Sequence, residues 1–293
     1  MSDSFTKKIL QASLTLGGGR VFASGKNTKL IDGLRMSCEV EKGGEPTKNK
    51  CKLKIYGMLP GDMTELTALP GSTSAPLVVH KNKLQVLAGD ASGLAIVFSG
   101  DITEAYASYQ APPNLYFHVE ALEGFYPAIA KADPRSFKGA TAVSALMKSL
   151  ADLMGYGFED NGVQVMLTNP YLGGSLLQQA KQLALAANID FGIDNDVLFI
   201  APLAKARKGT APEVSAATGM KEYPIFDKKG LKLHTLYNKD IKYKGQIHVT
   251  SVVKQACGNW YVHGMAHSLE CEAPSGQWFT KILASRLPGG SNE

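Results

Sequence analysis

The chain has few cysteines, and none of them lies in a motif that binds zinc or carries redox chemistry. Its four cysteines are far apart and form no CxxC pair, which argues against both kinds of site. We therefore expect reduced, mostly buried thiols. Cys38 and Cys51 lie on successive predicted strands and could be neighbours.

Long hydrophobic runs are missing as well. No stretch approaches ~18 consecutive apolar residues, the length that a membrane-spanning helix needs. The first ten residues, MSDSFTKKIL, carry an acid early and lack the apolar core of a secretion signal. We therefore expect synthesis to end in a cytoplasm. The content of 44% hydrophobic and 19% charged residues in a chain of 293 predicts about two or three globular domains rather than disorder.

Catalytic motifs are also absent. The sequence contains no GxSxG elbow, no Walker A sequence and no GxGxxG before a helix. Asp194 and Asp196 lie in IDNDV, which is typical of a turn between two strands. His263 and His267 lie on a predicted strand, where four residues separate two rings by roughly 13 Å, too far for one metal ion unless the strand is bulged. We predict no catalytic residue, no cofactor and no metal site, and hence no enzyme.

The hydrophobic pattern divides the chain into three regions. Residues 1–124 alternate with a period of two between Gly, Asn and Pro punctuation, which predicts a small antiparallel β-barrel. Residues 125–202 contain two amphipathic helices, each followed by strand-like sequence, and predict a small α+β domain. Residues 203–293 return to alternation and predict a second barrel. The expected class is α+β and mainly β, with two small antiparallel barrels or sandwiches flanking the α+β domain.

Helix ends can be located in the middle region. The first helix should end at Gly155, and the second should begin with a capping box between Ser175 and Gln178. Asn188 tolerates the left-handed conformation with which the second helix should end. The two β regions also share a faint pattern, a Gly in a strand, a Pro-containing turn and an aromatic pair, which suggests duplicated barrels.

Four lysines alternate along one predicted strand of the first region. They share a face about 20 Å long, which cannot lie in the core because four ammonium groups could not be paired there. This face must meet water or a partner; its residues are Lys48, Lys50, Lys52 and Lys54. The net charge of +5 is spread over strands without clustered Arg, so a nucleic-acid patch is disfavoured.

Three stretches occur in an order that is typical of one protein family. VLAGDASGLAIVFSGDITEAY and SLLQQAKQLALAANIDFGIDNDVLFI are the first two. The third carries a closing pattern made of Val262, Gly264, His267, Leu269, Gly276, Trp278 and Thr280. Together they resemble the baseplate or tail-tip hub proteins of long-tailed bacteriophages and the related base of the type VI secretion spike. Lys239 departs from the pattern, since relatives tend to have Pro there.

The resemblance implies a structural hub of the virion tail, assembled in the host bacterial cytoplasm. It implies a homotrimer that forms a pseudo-sixfold ring and joins the tail tube to the spike or tail tip. In the family both barrels are tail-tube-like, so three chains with two barrels each present six similar units to a sixfold tube. In such a ring the lysine face is either solvated or lines the lumen. The implied partners are the tail tube protein, the tape-measure protein and the spike or tail-tip proteins, with DNA passing through the lumen.

Two other classes of function stay open. A cell-wall-binding or hydrolytic tail protein would place its function in the middle region, where we find no catalytic Glu or Cys/His arrangement. A single-stranded nucleic-acid-binding protein would use the β regions, and a steep salt dependence of binding would identify it.

Overall fold

The structure is a computed structural model that describes residues 6–43, 49–67, 81–109, 115–228 and 230–286. Strands dominate these ranges, and four α-helices accompany them. None of these helices has the length and apolar composition that crossing a membrane requires. The predicted class, α+β and mainly β, is confirmed.

The first β region consists of seven strands and one short helix in the part of the chain that is described. Buried and solvent-facing residues alternate along β4, as the period of two predicted. Cys38 and Cys51 are buried neighbours with their sulfurs 3.7 Å apart, and both are free thiols. The elements are β1 (Ile9–Thr15), β2 (Thr28–Ile31), β3 (Met36–Gly43), β4 (Lys50–Tyr56), α1 (Pro60–Leu66), β5 (Lys83–Asp90), β6 (Gly93–Ser108) and β7 (Tyr116–Leu122).

The middle region is the α+β unit. Both predicted capping-box hydrogen bonds are present between Ser175 and Gln178, and the two long helices end at Gly155 and Asn188 in the left-handed conformation. The elements are α2 (Phe125–Ile129), β8 (Arg135–Ser136), β9 (Ala140–Ala142), α3 (Val143–Met154), β10 (Gly157–Asp160), β11 (Met166–Thr168), β12 (Tyr171–Leu172), α4 (Leu176–Ala187), β13 (Ile189–Asp194) and β14 (Val197–Pro202).

The last region is again built of strands. Its elements are β15 (Glu213–Val214), β16 (Ile225–Asp227), β17 (Gly230–Leu236), β18 (Gln246–Val249), β19 (Gly258–Cys271) and β20 (Trp278–Ser285). Strand β18 ends at Val249, and Lys254–Ala256 forms a 3-10 helix. The side chains of Ser251 and Cys257 accept hydrogen bonds from the backbone there and replace strand pairing.

Lys239, the departure from the family pattern, still lies in a turn. The side chain of Asn238 accepts a hydrogen bond from the backbone N–H of Asp240 at 2.9 Å. An Asn that bonds the backbone two residues onward mimics a tight turn without proline. The substitution at Lys239 therefore leaves the connection after β17 intact.

One thirteen-stranded sheet links the two β regions among the described strands. Its main path runs β16-β17-β20-β19-β3-β4-β7-β6-β5-β1-β2, and β18 and β15 branch from β19. The link is the antiparallel pair β3 and β19, which runs from Gly43 opposite Gly264 to Met36 opposite Cys271. This path is open, so closure of each β region into a barrel stays a prediction.

Three hydrophobic clusters fill the interior. The first lies under β1 to β7, but it also includes Leu269 and Trp278 of the last region. The second joins α3 and α4 to the β13–β14 hairpin. The third fills the last region and takes Phe199 from β14. The first and third clusters thus receive side chains from another region, and the boundaries after residues 124 and 202 stay predictions.

Candidate functional site

The β13–β14 hairpin carries the turn around which the candidate site is built. Asn195 and Asp196 form the two-residue turn, with φ values of 55° and 59°. Two-residue hairpin turns of this kind require positive φ, which Asn and Asp tolerate better than most residues. The turn predicted for IDNDV is therefore confirmed, and its side chains reach both β regions.

Asp194 binds one cation from each β region. Its Oδ1 lies 2.5 Å from Nζ of Lys42 on β3, and its Oδ2 lies 2.6 Å from Nη1 of Arg207 in the connection after β14. All three side chains are at least nine-tenths buried. Burial alone would raise the pKa of Asp194, but the charges of Lys42 and Arg207 outweigh it and lower this pKa to about 2. The carboxylate is therefore ionised and cross-links the regions.

Arg207 is the most highly connected side chain of this site. Its Nε and Nη2 donate to the two carboxylate oxygens of Glu159 at 2.9 and 2.8 Å, and Nη1 also donates to the carbonyl oxygen of Tyr243. The guanidinium lies 4.4 Å from the centre of the Phe199 ring. A planar guanidinium can make all of these contacts at once, which an ammonium group cannot.

Glu123, at the end of β7, completes the cluster from the first region. Its carboxylate accepts hydrogen bonds from Nδ2 of Asn49 at 2.8 Å and from the backbone N–H of Asn195 at 3.1 Å. Nζ of Lys42 lies 3.7 Å away. The side chain is fully buried, and burial raises the pKa of Glu123 to about 7. We name Lys42, Glu123, Glu159, Asp194 and Arg207 the junction cluster.

The turn has further anchors on both sides. Asp196 accepts a hydrogen bond from Oγ of Ser99 at 2.6 Å and faces Nζ of Lys83 at 3.3 Å, both in the first region. On the other side, Asp190 pairs with Lys244 of the last region at 2.8 Å. The hairpin is therefore a clamp that holds the two β regions in one relative orientation.

Sequence reasoning missed the junction cluster. Arg207 lies in the connection after β14 and is only 8% exposed. Its partners Glu159, Asp194 and Tyr243 are distant from it in sequence. No local pattern distinguishes this arginine from the lysines around it.

The three described lysines of β4 each lie close to an acidic or aromatic side chain. Lys48 lies outside the described residues. Lys50 pairs with Glu41 of β3 at 3.0 Å, and Lys52 pairs with Glu120 of β7 at 3.1 Å. Nζ of Lys54 lies 5.4 Å from the centre of the Tyr116 ring. The lysines thus lie on a partly exposed surface of mixed charge.

This surface continues into the last region. In one row across the sheet, Lys50 is opposite Glu41, Glu41 is opposite Ala266 of β19, and Ala266 is opposite Lys281 of β20. We name the side of the sheet that bears Glu41, Lys50, Lys52, Glu120 and Lys281 the shared polar face. It crosses from one β region to the other without a break in strand pairing.

The two histidines of β19 lie in different surroundings. His267 is buried, and its Nδ1 lies 2.9 Å from Oγ1 of Thr280, as expected for a hydrogen-bonded histidine of a sheet. His263 lies at a β-bulge between Val262 and Gly264 and is half-buried. In the described parts of the chain, no group of three or more His, Cys, Asp or Glu residues could hold a metal ion.

Several solved tail proteins have this fold. The 43 kDa tail protein of prophage MuSo2 from Shewanella oneidensis matches with a TM-score of 0.62 and 11% identity, over 94% of this chain and 98% of that one. A tail protein from Neisseria meningitidis MC58 matches with a TM-score of 0.60 and 10% identity, over 94% and 96%. A chain of the Francisella PdpA-VgrG complex matches with 0.55 and 6%, over 95% of this chain and 53% of that one. The fold is therefore that of phage tail proteins.

The family of this chain is identified by a match of its sequence to a family model. The family model described as Baseplate hub gp41 matches residues 9–273. The chain therefore belongs to the baseplate hub gp41 family and is a structural component of a phage tail. A search of curated proteins finds no significant match.

Proposed function

We propose that three copies of this chain form a pseudo-sixfold ring that joins the tail tube to the spike or tail tip. Each copy contributes two tube-like barrels, residues 1–124 and 203–293, held by the α+β domain of residues 125–202. The supporting observation is the β3–β19 pair, because it makes one sheet from two β regions. Assembly takes place in the host cytoplasm, with the tube, tape-measure and spike proteins as partners.

Rigidity is what a ring of six similar units needs from each subunit. A hydrogen-bonded strand pair and the buried junction cluster connect the β regions at separate places. Two connections of this kind oppose rotation, whereas a single flexible linker would leave the angle between the units free. Fixed spacing within a chain supports closure of three heterologous contacts into a ring.

We propose that the shared polar face lines the lumen of the ring, with Lys54 beside its named lysines. Paired charges keep the face hydrated without a strong net field. A mixed lining suits a channel through which DNA passes, because an unbalanced basic wall would hold a polyanion. The paired carboxylates Glu41 and Glu120 support this proposal over a purely basic lining.

Images of isolated tails test the ring. We expect threefold density at the junction of tube and tip, with two similar β units per subunit, while the isolated chain is a monomer. No coiled-coil heptad is present to force trimerisation without tail partners. A stable twofold dimer in assembled tails would contradict the proposal. Assays for peptidoglycan hydrolysis and for salt-dependent binding of single-stranded DNA should both be negative.

Charge reversal tests the lumen separately. Lys50→Glu and Lys52→Glu together should slow DNA ejection or block tail assembly, because they leave Glu41 and Glu120 unpaired on the wall. The matched control is Lys148→Glu with Lys181→Glu, which makes the same charge change on the middle helices. Normal assembly and ejection in the β4 variant would show that this face does not line the lumen.

A further inference from the structure

The junction cluster contains more acid than base. Glu123, Glu159 and Asp194 supply three carboxylates, while Lys42 and Arg207 supply two cations, within direct contacts of 2.5 to 3.7 Å. If all five groups were ionised, one negative charge would stay uncompensated. An unpaired charge is costly at a fully buried position such as that of Glu123.

A second acidic imbalance lies on the other side of the same turn. Asp196 faces Lys83 at 3.3 Å, and both lie within electrostatic range of Asp101 on β6. Asp101 is only 1% exposed, and its carboxylate accepts a hydrogen bond from the backbone N–H of Tyr126 at 3.0 Å. Two carboxylates therefore face one cation, and one negative charge is again in excess.

One further cation, Lys242, lies within electrostatic range of Glu159 and helps to lower its pKa, but Lys242 is exposed to solvent. The buried titratable neighbours do not supply the missing positive charge. Burial and the charge of Lys42 lower the pKa of His267 to about 3, so that its ring is neutral. Burial raises the pKa of Tyr243 and of the Cys51 thiol, and these groups stay neutral too. Tyr126 and Tyr156, which face Asp101, likewise have raised pKa values because they are buried.

We infer that the hairpin clamp is a proton-dependent lock, closed most tightly when Glu123 and Asp101 each hold a proton. Protonation removes one negative charge from each acid-rich site and leaves both sites balanced. Ionisation returns the excess charge to buried positions that contact the turn, at the backbone N–H of Asn195 and beside Asp196. The lock operates within one chain, whether or not that chain joins a ring.

The direction of the pH dependence follows from the two shifts. Burial raises the pKa of Glu123 to about 7 and that of Asp101 to about 6, from ordinary values of 4.5 and 3.8. At pH values between the ordinary and the raised pKa of each group, the folded chain binds more protons than the unfolded chain. The stability that these two protonated groups contribute is therefore complete at pH values below their ordinary pKa values. It is lost as the pH rises through their pKa values in the folded chain.

Equilibrium unfolding of the full chain at pH 5 and pH 8 tests the lock. The ratio of the unfolding constants of wild type and Glu123→Gln should change on the order of a hundredfold between these pH values, because only the wild type releases the proton. The Glu123→Gln variant also loses one acceptor, but that loss is the same at both pH values. The control Glu120→Gln, on the exposed face of β7, should show a constant ratio, since the pKa of Glu120 is lowered.

A local measurement completes the test. The amide resonance of Asn195, whose N–H donates to Glu123, should titrate near neutral pH in the wild type and not in Glu123→Gln. Loss of the remaining pH dependence in Glu123→Gln combined with Asp101→Asn would support the second site. The inference is overturned if the ratio of the unfolding constants of wild type and Glu123→Gln is the same at pH 5 and pH 8 and the Asn195 resonance does not titrate.

Discussion

Two neighbouring residues of β3 show how one residue pattern gives two kinds of ion pair. Glu41 points to the shared polar face and pairs with Lys50, where the side chains are 59% and 42% exposed. Lys42 points to the opposite side and pairs with Asp194, where the side chains are 4% and 10% exposed. Strand alternation alone separates the two environments.

The difference in exposure decides what each pair contributes. Water and salt screen an exposed pair, so its net contribution is typically about 0 to 1 kcal/mol. A buried pair has already lost its hydration, so removal of one partner leaves the other charge buried with neither water nor a counter-charge. The junction cluster should therefore be sensitive to single substitutions that the shared polar face tolerates.

The largest effect should come from Asp194→Asn. The substitution leaves Lys42 and Arg207 buried without their shared carboxylate, and we expect a loss of about 3 to 5 kcal/mol in the free energy of unfolding. Urea unfolding at neutral pH measures it, with Asp152→Asn on the exposed side of α3 as the control. A loss below about 1 kcal/mol would show that the clamp does not stabilise the fold.

A smaller effect is expected at His267. His267→Ala removes the contact to Thr280 in the buried sheet and should cost about 1 to 3 kcal/mol, whereas the half-buried His263→Ala should cost less. Burial holds the pKa of His267 at about 3, below its ordinary 6.5. The stability from the neutral ring is therefore complete above pH 6.5 and is lost as the pH falls toward 3.

The histidine variants also sharpen the structural interpretation. Both should change stability without changing any enzymatic activity, and the difference between His267→Ala and wild type should shrink as the solution is acidified. Metal analysis of the native protein is the independent check. Stoichiometric zinc that either substitution removes would contradict a purely structural role for these histidines.

The smallest effect should come from the shared polar face. Lys52→Gln breaks the exposed pair with Glu120 and should change the free energy of unfolding by less than about 1 kcal/mol. This small difference should vanish in 1 M salt, where the Debye length is about 3 Å. A loss as large as that of Asp194→Asn would remove the distinction between the two sets of ion pairs.

Local features of the fold were predictable because their causes are local. The alternation in β4 follows from the period of a strand, and the capping box of α4 needs only Ser175 and Gln178. The turn at Asn195 follows from residues that tolerate positive φ. The order of the three regions and the family resemblance also came from contiguous stretches of sequence.

The sequence by itself therefore determined the strands, the helix ends, the hairpin turn and the resemblance to tail hub proteins, since each depends on residues close together in the chain. Only the tertiary structure decided which carboxylates meet the lysines of β4, that Arg207 is buried, and that β3 pairs with β19. These contacts join residues up to 235 positions apart, as in the pair of Met36 and Cys271, and their energy depends on burial. Neither the partner nor the burial of a charged side chain is specified by its neighbours in sequence.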